Sequence, residues 1–236
     1  MAEPESVTRT LLTMPRDGAD IAGLAGQFCR ACVEGLDVDG AAISLLTGSP
    51  SRETLCATDA MAARVEELQY TLGEGPCIEA ATSGRPVLIR DVQETGGQIR
   101  WPVFAAAVAE QAGIRALFAV PLQLDAINLG ALDIYRAAPG PMSDGELRDV
   151  LRAADTAALM LLGLRTDLGD QQWWDQSWVS HAEVHQATGM VVAQLGIGAQ
   201  DAFARLQGYA FSQERLLDDV ARDVVARRLR FTDDLA

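Results

Sequence analysis

Apolar residues recur at helical spacing from Ile21 to Leu36. Ile21, Leu24, Ala25, Phe28, Cys32 and Val33 fall on one face, which predicts an amphipathic helix. After Asp37-Val38-Asp39-Gly40 the period changes. Ala41–Leu46 and Glu53–Thr58 read as strands, and Gly48-Ser49-Pro50-Ser51 between them is turn chemistry, so a hairpin is expected. Met61–Leu68 predicts a short helix. Gly73-Glu74-Gly75-Pro76-Cys77 leads into another that ends at Ser83-Gly84, with a short strand at Pro86–Ile89. Residues 90–100 are polar, contain Gly96-Gly97 and read as a loop. Trp101–Ala112 predicts a helix closed by Gly113. Two apolar strands follow, Ala116–Leu122 and Leu129–Tyr135, and their short connection suits an antiparallel pair rather than a crossover. The order predicts an α+β fold: an antiparallel sheet carrying helices, not a doubly wound nucleotide-binding sheet.

Beyond Pro139-Gly140-Pro141 the pattern turns wholly helical. Ser143-Asp144-Gly145-Glu146 has the S-x-x-E form of a capping box. Leu147, Leu151, Ala154, Ala158 and Leu161 then repeat at spacings of four and three. Such a stripe reads as a coiled-coil seam, the contact of a parallel homodimer through helix 143–168, with packing of the helix on its own sheet as the alternative. Trp173, Trp174 and Trp178 cluster after Gly169, and Ser180–Glu183 is a second S-x-x-E match. Three short stripes complete the chain: Val184/Ala187/Val191/Leu195, Ala202/Leu206/Tyr209/Ala210 and Leu217/Val220/Ala221/Val224/Val225. Two units are expected, residues 16–168 including the long helix and residues 176–231.

At 236 residues and 49% hydrophobic, the chain is long and apolar enough for ordinary cores. Four cysteines are too few for a disulfide-stapled module, and no apolar run approaches the ~18–20 residues of a membrane helix. The opening MAEPESVTRT lacks the charge and apolar pattern of a signal peptide, so a cytoplasmic protein with reduced thiols and no membrane partner is expected. Net charge is −14 and all basic residues are Arg, which excludes nucleic-acid binding through bulk charge. The imbalance is uneven. From Gln176 onward 6 Arg face 8 acidic residues, so any polyanion contact belongs to this C-terminal part.

Candidate chemistry is sparse. Cys29 and Cys32 form a lone C-x-x-C on an apolar helix face, which reads as core. His181 and His185 have a metal-compatible spacing, but the sequence offers no third ligand, so no metal is expected. Cys77 stands at a helix start, where the helix dipole favours a thiolate, and is a packed or redox-sensing thiol. Phosphate-loop, dinucleotide, nucleophile-elbow and zinc-protease motifs are missing. With two His, both in one helical turn, a Ser-His-Asp or Cys-His set has little to draw on, and the chain reads as a non-enzyme without a cofactor.

Gly73–Cys77, Arg100-Trp101-Pro102, Ala116–Leu122 and Leu129–Tyr135 with Pro141–Asp144 together resemble a GAF domain of the actinobacterial-regulator type. His185–Met190, Gln194-Leu195-Gly196, Ala202–Leu206, Tyr209-Ala210-Phe211 and Val220-Ala221 resemble an ANTAR domain, the RNA-binding module of transcription antitermination regulators. The first resemblance implies a sensory pocket between sheet and covering helices. Cys77, Trp101, Phe104, Phe118 and Tyr135 are its candidate lining, for a small molecule of undefined class. The N-K-F-D-E set that accompanies cyclic-nucleotide binding in that family is not found. The second resemblance implies a three-helix module at the end of a coiled coil, binding paired RNA stem-loops as a dimer. Thr188, Gly189, Arg205, Gln207, Tyr209, Arg215 and Arg222 are its candidate RNA-binding residues; Thr188 and Gln207 stand where the family often has a basic residue. Tyr209 either stacks on a loop base or fills the bundle core.

Three functions compete at this point. They are a signal-responsive RNA-binding regulator, a GAF-type cysteine redox enzyme acting on a small molecule, and a helix-turn-helix DNA-binding regulator. The redox enzyme needs several cysteines converging on one pocket. The DNA-binding reading must place Asp218, Asp219 and Asp223 against a major groove, where interleaved acids are unfavourable.

Overall fold

The computed structural model describes residues 21–46, 52–95, 100–110, 113–125, 127–177 and 181–232, and among these described residues fourteen elements follow one another. The side chains of Leu46, Arg52, Thr95 and residues 166–177 lie outside that description. In chain order the elements are α1 (Ile21–Gly35), β1 (Gly40–Leu46), β2 (Arg52–Ala57), α2 (Ala60–Leu72), α3 (Pro76–Ser83), β3 (Val87–Ile89), α4 (Val92–Thr95), α5 (Pro102–Glu110), β4 (Ala116–Leu124), β5 (Ile127–Arg136), α6 (Asp144–Ser177), α7 (Ala182–Leu195), α8 (Ala199–Ser212) and α9 (Leu217–Val225).

The strands form one five-stranded antiparallel sheet, ordered β2-β1-β5-β4-β3. Both faces are covered, which is why the central strands read as continuous apolar runs. Side-chain alternation divides them. Ala116, Phe118, Val120 and Leu122 of β4 pack with Ala41, Ile43 and Leu45 of β1 beneath α1 and α6. Leu117 and Ala119 face the other way, onto α2, α3 and α5. At the centre β1 and β5 approach so closely that a Cβ on Gly130 would lie 2.0 Å from the Ser44 carbonyl oxygen, at φ +153°. Only glycine fits there.

Local signals set the helix ends. Asp59 caps α2 by accepting from the Met61 and Ala62 amides at 2.7 and 2.9 Å, and Gly73 ends that helix in the left-handed conformation. Helix α2 therefore runs four residues past the predicted Leu68. Pro76 opens α3 and Gly84 closes it. The capping box at α6 is reciprocal: Glu146 accepts from the Ser143 amide at 2.6 Å, and Ser143 Oγ accepts from the Glu146 amide at 3.3 Å. At α7 the cap residue is His181, with no side-chain cap bond, and Ser180 lies outside the described residues, as do Trp178, Gly48–Ser51 and Gly96-Gly97. Within the predicted loop 90–100 a helical turn, α4, forms after all; Asp91 Oδ1 accepts from the Gln93 amide at 3.0 Å.

The regular stripe on α6 is spent inside the chain. Ala154, Ala158 and Leu161 are buried with Val150, Ala153 and Ala157 against α1 and the sheet, and Leu151 packs on the same core. The stripe expected as a dimer seam is a correction: this face packs inside the chain, because α1 and the sheet cover it. The outward side carries Leu159, 61% exposed. Beyond α6, helices α7, α8 and α9 bury the predicted stripes in a third core, from Val184 and Leu206 to Val224, closed by Phe231. Leu195, Tyr209 and Val225 are partly buried at its margin. That core also takes in Tyr70 of α2.

Candidate functional site

Helix α2 presents two polar faces. Glu66 and Gln69, three residues apart, point at the sheet; Glu67, Tyr70 and Thr71 point at the C-terminal module.

On the sheet side, Gln69 organises a buried polar cluster. Its Nε2 donates to Glu66 Oε1 at 3.0 Å and to Asp133 Oδ2 at 2.9 Å, and its Oε1 accepts from the Cys77 amide at 2.8 Å. Ser44 Oγ donates to Glu66 Oε2. Asp133 Oδ1 is buried without a partner. Ligand atoms of Glu66, Cys77 and Asp133 all lie within 4.8 Å of one another. Sequence reasoning singled out Cys77 alone. The signal for the others is present: Asp133 interrupts an apolar strand, and Glu66 and Gln69 share the buried face of α2 with Ala62 and Val65.

The expected pocket lining comes together only in part. Trp101, Phe104 and Tyr135 belong to the α2/α3/α5 side of the sheet, and Cys77 sits nearby with Ala81 and Ala131. Phe118 is a correction. Strand parity turns it to the opposite face, where the Arg136 guanidinium stands 5.5 Å over its ring. Tyr135 donates to Asp59 Oδ1 at 3.1 Å, and burial followed by the Asp59 charge pushes its phenol up to about 12. The cysteines are split likewise. Cys29 and Cys56 touch Sγ to Sγ at 2.8 Å beneath α1, with Cys32 in the same core and Cys77 across the sheet. The contact with Cys56 and then burial raise the Cys29 thiol, and burial pushes Cys32 up to about 12. Buried thiols held protonated are poor nucleophiles.

On the outer side of α2, the module is docked. The Tyr70 ring stacks on His181 at 3.9 Å and 9°, and meets the Phe203 ring edge-on at 5.6 Å. Gln207 Nε2 donates to the Tyr70 carbonyl at 2.8 Å, and the Leu217 amide donates to Thr71 Oγ1 at 3.3 Å. His185 Nε2 lies 2.5 Å from Oε1 of the fully buried Glu53 on β2. His181 Nδ1 lies 3.1 Å from Asp218 Oδ1. Burial lowers the His181 pKa, but the Asp218 bond and the charges of Asp218, Glu53 and Glu67 lift it above its ordinary value. Burial and then Asp218 push Glu67 up to about 7. Two clefts, of about 410 and 220 Å³, lie at this junction, both lined by Thr71, Leu72, Val103 and Phe211.

The candidate RNA-binding residues scatter over the module. Arg205 is exposed on α8, one helical turn from Tyr209, which is half-buried with its ring edge 5.5 Å from Phe231. Gly189 is exposed on α7 with open space before it. Thr188 Oγ1 donates to the Val184 carbonyl at 2.7 Å. Arg215 is held by Asp223 at 2.7 Å, and Arg222 pairs with Asp219 at 2.7 Å. Bonds from Arg215 and then Arg228 hold the Asp223 carboxyl below its usual range. Gln207 is engaged with the sensor.

Comparison with known proteins matches the GAF domain family over residues 18–161 and the ANTAR domain over residues 177–225. Comparison with curated proteins finds no match. Among solved structures, the chain is similar to the GAF domain of a phosphoenolpyruvate-protein phosphotransferase from Coxiella burnetii, with a TM-score of 0.54, 12% identity, and cover of 70% of this chain and 93% of that one. It is likewise similar to the corresponding Acinetobacter domain (TM-score 0.54, 10% identity, 70% and 95% covered). A structure of fRMsr of Staphylococcus aureus in its reduced form also matches (TM-score 0.52, 15% identity, 67% and 95% covered). At these identities the likeness is one of fold. No helix among the described residues is long and apolar enough to cross a membrane. With an antiparallel sheet flanked by helices, followed by three short helices, the chain belongs to the GAF domain family and is a GAF and ANTAR domain-containing regulator.

Proposed function

We propose that this chain is a signal-responsive regulator whose C-terminal module, residues 176–231, binds paired RNA stem-loops, and whose sensor, residues 16–168, governs that binding. One observation carries the reading. The sensor's helix α2 is shared, with Glu66 and Gln69 in the buried polar cluster and Tyr70 in the core of the RNA module. A ligand that re-pairs Gln69 must move the helix on which the module rests. Helix α2 is thus an element that both ends can bias. The distribution of cysteines on both sides of the sheet does not favour the redox enzyme, and the Asp219 and Asp223 pairs on α9 do not favour a major-groove helix.

The chain acts as a dimer through the outward side of α6, so two modules engage two hairpins and gain affinity without new contacts. Of the three candidate arginines, Arg215 and Arg222 are paired with acids, and exposed Arg205, with Tyr209 one turn away, is the leading contact. Salt dependence is then shallow, with a slope set by the few phosphates neutralised. Filter binding tests the proposal with a two-hairpin RNA, each hairpin alone and duplex DNA. Tight binding to the two-hairpin RNA alone, weakened about tenfold by Arg205→Ala, is expected; equal affinity for all probes overturns it.

A further inference from the structure

Beneath α1, two sulfurs from different elements are in contact. Cys29 Sγ of α1 and Cys56 Sγ of β2 lie 2.8 Å apart, and both thiols are free. A bulge in β2 brings them together. Ile43 of β1 pairs with Cys56 and Ser44 pairs with Thr54, so Leu55 is an extra residue between them. Neighbours on a regular strand point to opposite faces, yet Leu55 and Cys56 both reach the core under α1. The thiols differ in access. Cys29 and Cys32 are fully buried, whereas Cys56 is partly exposed. Cys77 stands across the sheet, outside this group.

We propose that Cys29 and Cys56 are a reversible disulfide site, oxidised by peroxides and reduced by small thiols, that clamps α1 to the edge strand β2. The chemistry takes two steps. The Cys56 sulfur, which solvent reaches, attacks a peroxide oxygen: an S–O bond forms, the O–O bond breaks, and Cys56 becomes a sulfenic acid. The Cys29 sulfur then attacks Cys56: the S–S bond forms, the S–O bond breaks, and hydroxide leaves with the Cys29 proton as water. Overall the thiol pair gives two electrons and two protons to the peroxide, which leaves as water and an alcohol, or as two waters. Contact with Cys56 and then burial hold the proton on Cys29 and slow its attack. Proximity offsets this, because the second step needs no encounter, and the sulfurs have only to close from 2.8 Å to about 2.05 Å. The clamp also bears on the module. Glu53, three residues before Cys56 on β2, is fully buried and has the module's His185 at 2.5 Å. Helix α1 packs on α6 as well as on β2, so the bond ties the strand that meets the module to the helix that leads into it.

The test uses the full chain, reduced, freed of reductant and treated with hydrogen peroxide, then alkylated in denaturant and mapped by mass spectrometry. Free thiols should fall from four to two per chain. One peptide pair should carry Cys29 bonded to Cys56 within a single chain, and dithiothreitol should restore all four thiols. The bond should slow amide exchange in α1 and β2 on the order of tenfold. Cys29→Ala should stop the reaction at the Cys56 sulfenic acid, trapped by dimedone, and Cys77→Ala should leave the bond unchanged. If Cys29→Ala fails to fold, the wild-type map decides the matter alone. A Cys56 bond between two chains, a bond to Cys32, or four alkylatable thiols after peroxide overturns the site. A bond that forms without slowing exchange in α1 and β2 overturns it too, since it clamps nothing. No RNA is present, so a negative result here leaves the RNA-binding reading intact.

Discussion

The sensor and the module solve the same packing problem with different means. The sensor builds a core on each face of its own sheet, and its central strands are buried on both sides. The module has one core of three short helices, and that core is completed by Tyr70 from the other domain. Small helical units bury too little surface to stand alone without help. Borrowing an aromatic ring from the sensor makes the module's stability depend on the position of α2. The sensor's debt is polar: its fully buried Glu53 has the module's His185 as partner at 2.5 Å. The coupling itself is reciprocal, but a disturbance of α2 falls first on the module, whose core takes in Tyr70.

Two leucines on α6 give the largest test of that asymmetry. Leu161 is fully buried and Leu159 is 61% exposed. Leu161→Glu places an unpaired charge in the sensor core and should cost about 5 kcal/mol, unfolding sensor and module together. Leu159→Glu should keep both folded and yield monomers by light scattering. A folded Leu161→Glu protein would break the comparison at its root. Next in size is Gln69→Leu, which strips partners from Glu66, Asp133 and the Cys77 amide and should cost about 4 kcal/mol in urea unfolding.

Tyr70→Ala separates the two domains. Tyr70 is 4% exposed, and losing a buried ring should cost about 3 kcal/mol. Hydrogen exchange should place that loss in α7, α8 and α9 while the amides of β4 and β5 stay protected. Loss of protection in the sheet alone would show that Tyr70 stabilises the sensor rather than the module.

What the sequence disclosed and withheld follows from range. Apolar runs over Ala116–Leu122 and Leu129–Tyr135 and the helical period over Val184–Val225 are local, and they predicted strands and helices that are present. The S-x-x-E pattern at Ser143 is local too, and the reciprocal bonds exist. The stripe from Leu147 to Leu161 was legible as a stripe but silent about its partner, because an apolar face is the same whether α1 or a second chain covers it. Phe118 was misplaced because aromatic character says nothing about strand parity. The polar cluster of Glu66, Gln69 and Asp133 was missed because its members meet only when β5 passes beneath α2, 64 residues away in sequence between Gln69 and Asp133. The module's docking left no local trace, since Gln207 and His181 look like ordinary helical polar residues until Tyr70 is placed beside them.

The smallest expected effect lies at the start of α6, where the sensor hands the chain on towards the module. Ser143 and Glu146 cap the helix reciprocally, and the Arg136 guanidinium adds a bond to Glu146 at 2.5 Å. The Ser143 bonds, and after them Arg136, hold the Glu146 carboxyl below its ordinary value. A carboxyl whose folded pKa is depressed stabilises the fold above its unfolded pKa of about 4.3 and loses that contribution as pH falls through the folded value. Ser143→Ala should therefore cost about 1 kcal/mol at neutral pH. The difference from wild type should shrink as acid protonates Glu146, because the variant has already lost part of what protonation removes. Urea unfolding at pH 7 and again below pH 4 measures it. The loss should fall on the sensor transition, with the module's exchange protection unchanged, since α6 is anchored on α1 and β4 rather than on α7. A module that loosens with this cap would make α6, and not α2, the element through which the two domains communicate.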